Sequence, residues 1–232
     1  MIIGENMKTL PLISAAVSAL MPVLFQKTGL SEKYGFKMKM LCVLMYLVTG
    51  VISAAALYTA TAYSLMILGA LLLGALGDFF LEYNGKKLFP LGVVFFALGH
   101  IVYSLCFLCV GAYAASAHIA AVAAITLILT LLIILVAKTK LKLNGKKNML
   151  LVYAPVLIFA FACALMSGIV AVRAGNLSYG ICLVFGGILF FASDIMIGVS
   201  KGGINRPRFF QNAVTYTYFT AQTLFALSIY FQ

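Results

Sequence analysis

The sequence is poor in charge, and poorest in acid. Only 9% of its 232 residues are charged, and five are Asp or Glu. Soluble domains carry nearer a quarter charged residues. This scarcity excludes an ordinary soluble enzyme, a disordered tail and a nucleic-acid module. Tryptophan is absent, so twelve tyrosines must supply any interfacial aromatic belt. Tyr58, Tyr63, Tyr83, Tyr113, Tyr153 and Tyr179 fall near the ends of apolar runs and are expected in that belt. The cysteines (Cys42, Cys106, Cys109, Cys163 and Cys182) are odd in number and lie inside apolar runs, so they read as packing groups, without a disulfide framework. Two histidines leave too few ligands for a typical zinc site, short of His100 combining with carboxylates. No metal and no organic cofactor is expected. A G-x-S-x-G nucleophile elbow is also missing, and Gly74-Ala75-Leu76-Gly77 has small-residue spacing for close helix packing rather than a phosphate loop.

What the chain has is apolar length. It is 64% apolar, with a mean hydropathy of +1.13. Eight apolar runs are visible, roughly 9–25, 40–60, 63–83, 88–111, 116–137, 149–172, 178–199 and 209–230, with Pro11 and Pro22 flanking the first. Each approaches the length needed to cross about 30 Å of hydrocarbon at about 1.5 Å per residue. The expectation is an all-α integral membrane protein: a single domain, 1–232, bundling eight transmembrane helices.

The basic residues orient it. The odd-numbered loops carry Lys27, Lys33, Lys37 and Lys39, then Lys86 and Lys87, then Lys138, Lys140, Lys142, Lys146 and Lys147, then Lys201, Arg206 and Arg208. These are fourteen of the sixteen basic residues; Lys8 and Arg173 fall on the other side. The positive-inside rule places the odd loops in the cytoplasm and both termini on the non-cytoplasmic side. The formal charge of +11 thus meets lipid phosphate, not nucleic acid. A bacterial cytoplasmic membrane is the expected location. The sequence does not fix an oligomeric state.

Three acids stand inside or at the edge of the apolar runs: Asp78, Glu82 and Asp194. A carboxylate there costs at least ~2.5 kcal/mol, so it is a functional candidate by default. Asp78 and Asp194 fall at similar depth, near the cytoplasmic ends of the third and seventh helices, and Glu82 is one turn beyond Asp78. The plainer alternative is a buried tether to a basic residue. No Lys or Arg is expected within a helix core, though Lys86, Lys87 and Lys201 reach towards the acids by snorkelling. For Glu82, an interfacial pairing with Lys86 or Lys87 is the simpler reading. His100 and Tyr103 share a face of the fourth helix, where His100 serves either as a hydrogen-bond partner or in a proton relay. On the eighth helix, Asn212, Thr215 and Tyr216 share a face within a polar stretch that also holds Tyr218, Gln222 and Thr223. That stretch either bonds neighbouring helices or lines a wet cavity.

Taken in order, Gly77-Asp78, Phe89-Pro90-Leu91-Gly92, Gly99-His100-x-x-Tyr103 and Phe190-x-x-Ser193-Asp194 resemble the YhhN family, which includes the animal lysoplasmalogenases. The resemblance runs over essentially the whole chain. It implies hydrolysis of the vinyl ether bond of a lysoplasmalogen to a fatty aldehyde and glycerophospho-ethanolamine or -choline. Asp78 and Asp194 then take the catalytic roles, as general acid and as base or stabiliser. His100, Tyr103, Glu82, Ser193, Asn212 and Tyr216 become supporting or substrate-binding residues, although Glu82 has no clear counterpart in the family motif. Lys86, Lys87, Lys201, Arg206 and Arg208 become candidates for the headgroup phosphate, against a plain topogenic role. The partners expected are a lysophospholipid and the surrounding lipids. The rival reading is a proton-coupled transporter of lipid or small molecules, for which buried carboxylates serve equally well.

Overall fold

Nearly every long apolar run folds as a helix, and chain chemistry fixes several of the ends. The computed structural model describes the backbone of all residues except 1, 84–86, 112–114, 141–146 and 202–207. It also leaves undescribed the side chains at 2–8, 31, 32, 34, 116, 137–140, 147–151, 199–201 and 208. Eight α-helices are present among the described residues: α1 Ile2–Lys27, α2 Leu30–Ala55, α3 Ala62–Tyr83, α4 Phe89–Leu105, α5 Ile119–Lys140, α6 Lys147–Arg173, α7 Leu177–Lys201 and α8 Arg208–Phe231. A π-turn, Cys106–Val110, continues α4, and a 3₁₀ turn, Ala115–His118, precedes α5. All five cysteines are free thiols.

Helix α3 opens on a reciprocal cap. The Ser64 amide donates to Thr61 Oγ1 at 3.1 Å and the Thr61 amide to Ser64 Oγ at 2.9 Å, which satisfies amides that a helix start leaves bare. The α6–α7 turn uses Gly175 at φ +92°, with the Asn176 amide reaching back to the Ala171 carbonyl at 2.9 Å. This is a glycine-closed helix end. Asn176 Oδ1 then accepts from the Tyr179 amide and starts α7. These caps place Asp78 17 residues after Thr61 and Asp194 18 after Asn176, so both lie about 26 Å along their helices.

Seven helices are long and apolar enough to cross a membrane. The eighth, α8, is long enough but too polar in composition. Its position explains this: α8 packs against α1, α2, α3 and α7 at the centre of the bundle, and Gln222, Thr223 and Ser228 are buried there. Helix α5 sits at the edge, touching α6 and the 3₁₀ turn, with Leu127, Ile128 and Leu131 about 60% exposed. So much exposed aliphatic surface suits lipid and not water.

Three expectations are corrected. Pro11 and Pro22 lie inside α1, not at its flanks. The Ser14 hydroxyl donates to the Pro11 carbonyl at 2.9 Å, a local bond of a mid-helix serine back to the preceding turn. Helix α2 begins ten residues before the expected boundary, directly after Gly29 at φ +72°. Lys33, Lys37 and Lys39 therefore belong to a helix rather than a loop, since the segment is rich in the helix formers Glu and Lys. Tyr63 and Tyr179 are buried rather than interfacial. Tyr63 shares a 2.7 Å hydrogen bond with Ser228, and its ring packs 5.7 Å from that of Tyr179. Tyr58 and Tyr83 are exposed, and Tyr113 lies outside the described residues.

Candidate functional site

The buried acids sit in two hydrogen-bond networks. Asp78, on α3, is 4% exposed; its Oδ1 is 3.1 Å from Lys39 Nζ on α2, and its Oδ2 accepts from the Tyr218 hydroxyl on α8 at 2.6 Å. Behind Tyr218 the bonds continue in one direction. Gln222 Nε2 donates to the Tyr218 hydroxyl at 3.0 Å, and the Tyr103 hydroxyl donates to Gln222 Oε1 at 2.8 Å. Tyr218 and Gln222 are i and i+4 on α8, so one helix face carries both. Gly74 on α3 makes room for this chain. A Cβ there would stand 2.7 Å from Gln222 Nε2.

Lys39 also reaches Glu82 Oε2 at 3.3 Å. This overturns one expectation and alters a second. A lysine does lie among the helices beside the acids, and among the described residues Glu82 pairs with Lys39 and not with Lys87. The reason is the early start of α2, which brings Lys39 alongside the end of α3. Lys87 is exposed after α3. Lys86 and Arg206 lie outside the described residues, as do the side chains of Lys201 and Arg208.

The second network surrounds Asp194 on α7. The Tyr153 hydroxyl, from α6, donates to Asp194 Oδ2, and His100 Nε2, from α4, is 3.3 Å from the same oxygen. His100 Nε2 is also 2.9 Å from the Tyr153 hydroxyl, closing a triangle. Ser193 is buried and donates to the Val214 carbonyl at 3.3 Å, tying α7 to α8. Tyr216 is half-buried.

Among the described residues, Asp78 and Asp194 share no hydrogen-bond partner. Phe190 stands between the networks, with its ring 4.8 Å from His100 and 5.5 Å from Tyr218. An apolar void of about 10 Å³ lies on its His100 side, barely the space of one water. On the Asp78 side, a cavity of about 580 Å³ is lined by Lys39, Glu82, Asn212, Thr215, Phe25 and Phe219, among others. Of the supporting residues named from sequence, this cavity brings together Glu82 and Asn212.

Sequence reasoning missed Lys39 and Tyr153 as site residues, and took Tyr218 and Gln222 only as part of a polar stretch. The i, i+4 spacing of Tyr218 and Gln222 was a usable signal. Lys39 and Tyr153 gave none, because their partners are 39 and 41 residues away.

Fold and site together define a helical protein of the multi-pass membrane type, with two buried carboxyl networks between its helices. The YhhN family model matches residues 32–229, and the chain belongs to the YhhN family. No curated protein and no solved structure matches it.

Proposed function

We propose that this protein hydrolyses the vinyl ether bond of a lysoplasmalogen within the membrane. Membership of the YhhN family supports the reaction class. The observation that carries the reading is Asp78, a buried carboxyl bonded to Lys39, which itself lines a 580 Å³ cavity of mixed polar and apolar character. Small-molecule sites are of this size and character.

Vinyl ether hydrolysis has a simple balance. A proton adds to the β-carbon of the R–CH=CH–O–R′ group and leaves an oxocarbenium ion. Water adds to the cationic carbon and loses a proton. The hemiacetal then collapses to R–CH₂–CHO and the glycerol hydroxyl HO–R′. The first step needs a proton donor and a nearby anion to stabilise the cation. Asp78 accepts from both Lys39 and Tyr218, so it takes the part of the anion. It stabilises the oxocarbenium and orients the water. The network of His100, Tyr153 and Asp194 supplies the proton. For both to meet one substrate the Phe190 ring must swing aside.

The test is to incubate purified protein with 1-alkenyl, 1-alkyl and 1-acyl lysophosphatidylethanolamine. Fatty aldehyde from the alkenyl lipid, with the other two intact, is the expected result. Fatty acid from the acyl lipid, or no product from any of them, would replace the reading with an esterase or with the proton-coupled transporter.

A further inference from the structure

We infer that Tyr103 and Gln222 are positioning residues: through Tyr218 they hold Asp78 as a hydrogen-bond acceptor, and so as an anion, although neither touches it. What that anion does in a reaction rests on the reading above. The direction of the bonds does not.

The placement of protons sets that direction. Tyr103 is 2% exposed and packed among apolar rings, with Phe225 at 4.8 Å and Phe107 at 5.7 Å. Among the described residues its hydroxyl has one partner, Gln222 Oε1 at 2.8 Å. A hydroxyl has one proton to place, and a buried donor is costly to leave unpaired. The Gln222 amide, fully buried, therefore turns its oxygen to Tyr103 and its nitrogen to Tyr218, where Nε2 donates at 3.0 Å. The Tyr218 oxygen accepts that bond, and its own proton goes to Asp78 Oδ2 at 2.6 Å.

A proton on Oδ2 needs the opposite order. Asp78 would donate to Tyr218, Tyr218 to Gln222 Oε1, and Gln222 Nε2 to Tyr103. That order strands the Tyr103 proton among phenylalanines. Tyr103 thus opposes protonation of an oxygen three hydrogen bonds away, and each bond in the forward order polarises the next. A proton on Oδ1 is opposed separately, by Lys39 Nζ at 3.1 Å, which can only donate.

The other titratable groups around Asp78 do not depend on this chain. Helix α2 brings Lys39, Cys42 and Tyr46, and α3 itself brings Glu82. Tyr46 donates to the Leu71 carbonyl at 3.4 Å. On α4, His100 is engaged with Tyr153 and Asp194. The π-turn meets α3 at its far end, where Cys106 bonds the Tyr63 carbonyl.

The experiment follows Asp78 directly. The chain has two aspartates, Asp78 and Asp194, so carbon-13 in the aspartate carboxyls isolates their infrared bands, and Asp78→Asn assigns them. The full-length protein is titrated in nanodiscs across about pH 4–9, a range that spans ordinary and perturbed carboxyls. Asp78 should be ionised at neutral pH in the wild type. Tyr103→Phe removes only the hydroxyl, and should raise the midpoint of Asp78 protonation by about half a pH unit, a roughly threefold change in the equilibrium. Tyr218→Phe should raise it further, and adding Tyr103→Phe to that variant should change nothing more, since the connection is already cut. The acid limb of aldehyde release should move with the midpoint, whereas a merely structural loss would lower the plateau and leave the limb in place. If Tyr103→Phe does not fold, Tyr103→Phe/Gln222→Leu replaces both partners of the bond by apolar groups and should raise the midpoint at least as far.

A protonated Asp78 at neutral pH in the wild type would overturn the inference. So would a midpoint that Tyr103→Phe leaves in place, one that stays below the titrated range in every variant, or an equal shift with the Tyr218 hydroxyl already gone. Midpoints that move as expected, in a protein that releases no aldehyde, would uphold the chain and overturn the hydrolase reading. Aldehyde release with unmoved midpoints would do the reverse.

Discussion

Tyr218 donates a 2.6 Å hydrogen bond to Asp78 across 140 residues of chain. Its ring is held by Phe96 at 6.0 Å and Phe190 at 5.5 Å. The hydroxyl can therefore be removed without unseating the ring. Tyr218→Phe should leave the fold intact and cost about 1–3 kcal/mol of stability through the lost bond to a buried carboxylate. Aldehyde release should fall at least about tenfold, because Asp78 loses its orienting donor. Thermal unfolding in detergent, beside the lysoplasmalogen assay, checks both.

Lys39 and Asp78 form an ion pair that is only 27% and 4% exposed at its two ends. Breaking such a pair from one side strands a buried charge. Lys39→Met should destabilise the protein by about 3–5 kcal/mol. Adding Asp78→Asn to it should restore part of that stability, since the double variant buries no unpaired carboxylate. A double variant less stable than Lys39→Met would show that the pair is not the source of the cost.

Asparagine keeps the size of aspartate but cannot transfer a catalytic proton. Asp78→Asn and Asp194→Asn should each lower turnover at least ~10²-fold, and the double variant should be hardly worse than either, because the two act as one unit. His100→Gln and Glu82→Gln should cost less. Turnover should also slow in D₂O, since carbon protonation is the slow step of the proposed reaction. Folded single variants with normal aldehyde release would move the transporter reading ahead.

Gly74 faces an amide that is fully buried and bonded at both ends. Gly74→Ala should displace Gln222 and cost about 1–3 kcal/mol as an overpacking change. In a Gln222→Ala background the same substitution should cost markedly less, because the clash is gone. Additive costs in a thermal-unfolding cycle would place the strain elsewhere.

The charge distribution sets the expected topology. Cysteines introduced at Glu5 and Leu143 should be labelled from opposite sides of the membrane, Glu5 from the non-cytoplasmic side. Labelling of both from one side would refute the arrangement of eight crossings.

Hydropathy by itself determined the helical class, seven of the eight helices and most of their ends, because a chain that meets lipid must satisfy its backbone internally and announces a lipid-facing helix by its apolar length; α8, polar and packed among its neighbours, is announced less plainly. It also singled out Asp78 and Asp194, since carboxyls are rare in such surroundings and costly. What covers those carboxyls was decided only by tertiary structure. Lys39 looked like a loop charge because polar composition ends an apolar run before it ends a helix; only the packing of α2 on α3 turned it into the partner of Asp78 and Glu82. Tyr153 looked like an interfacial anchor because its polar tip lies near a helix end, and only the approach of α6 to α7 aimed its hydroxyl at Asp194. Apolar length is a local property of the chain. The choice of partner for a buried charge is made between helices, where side chains from distant segments meet and the low dielectric penalises every group left unpaired.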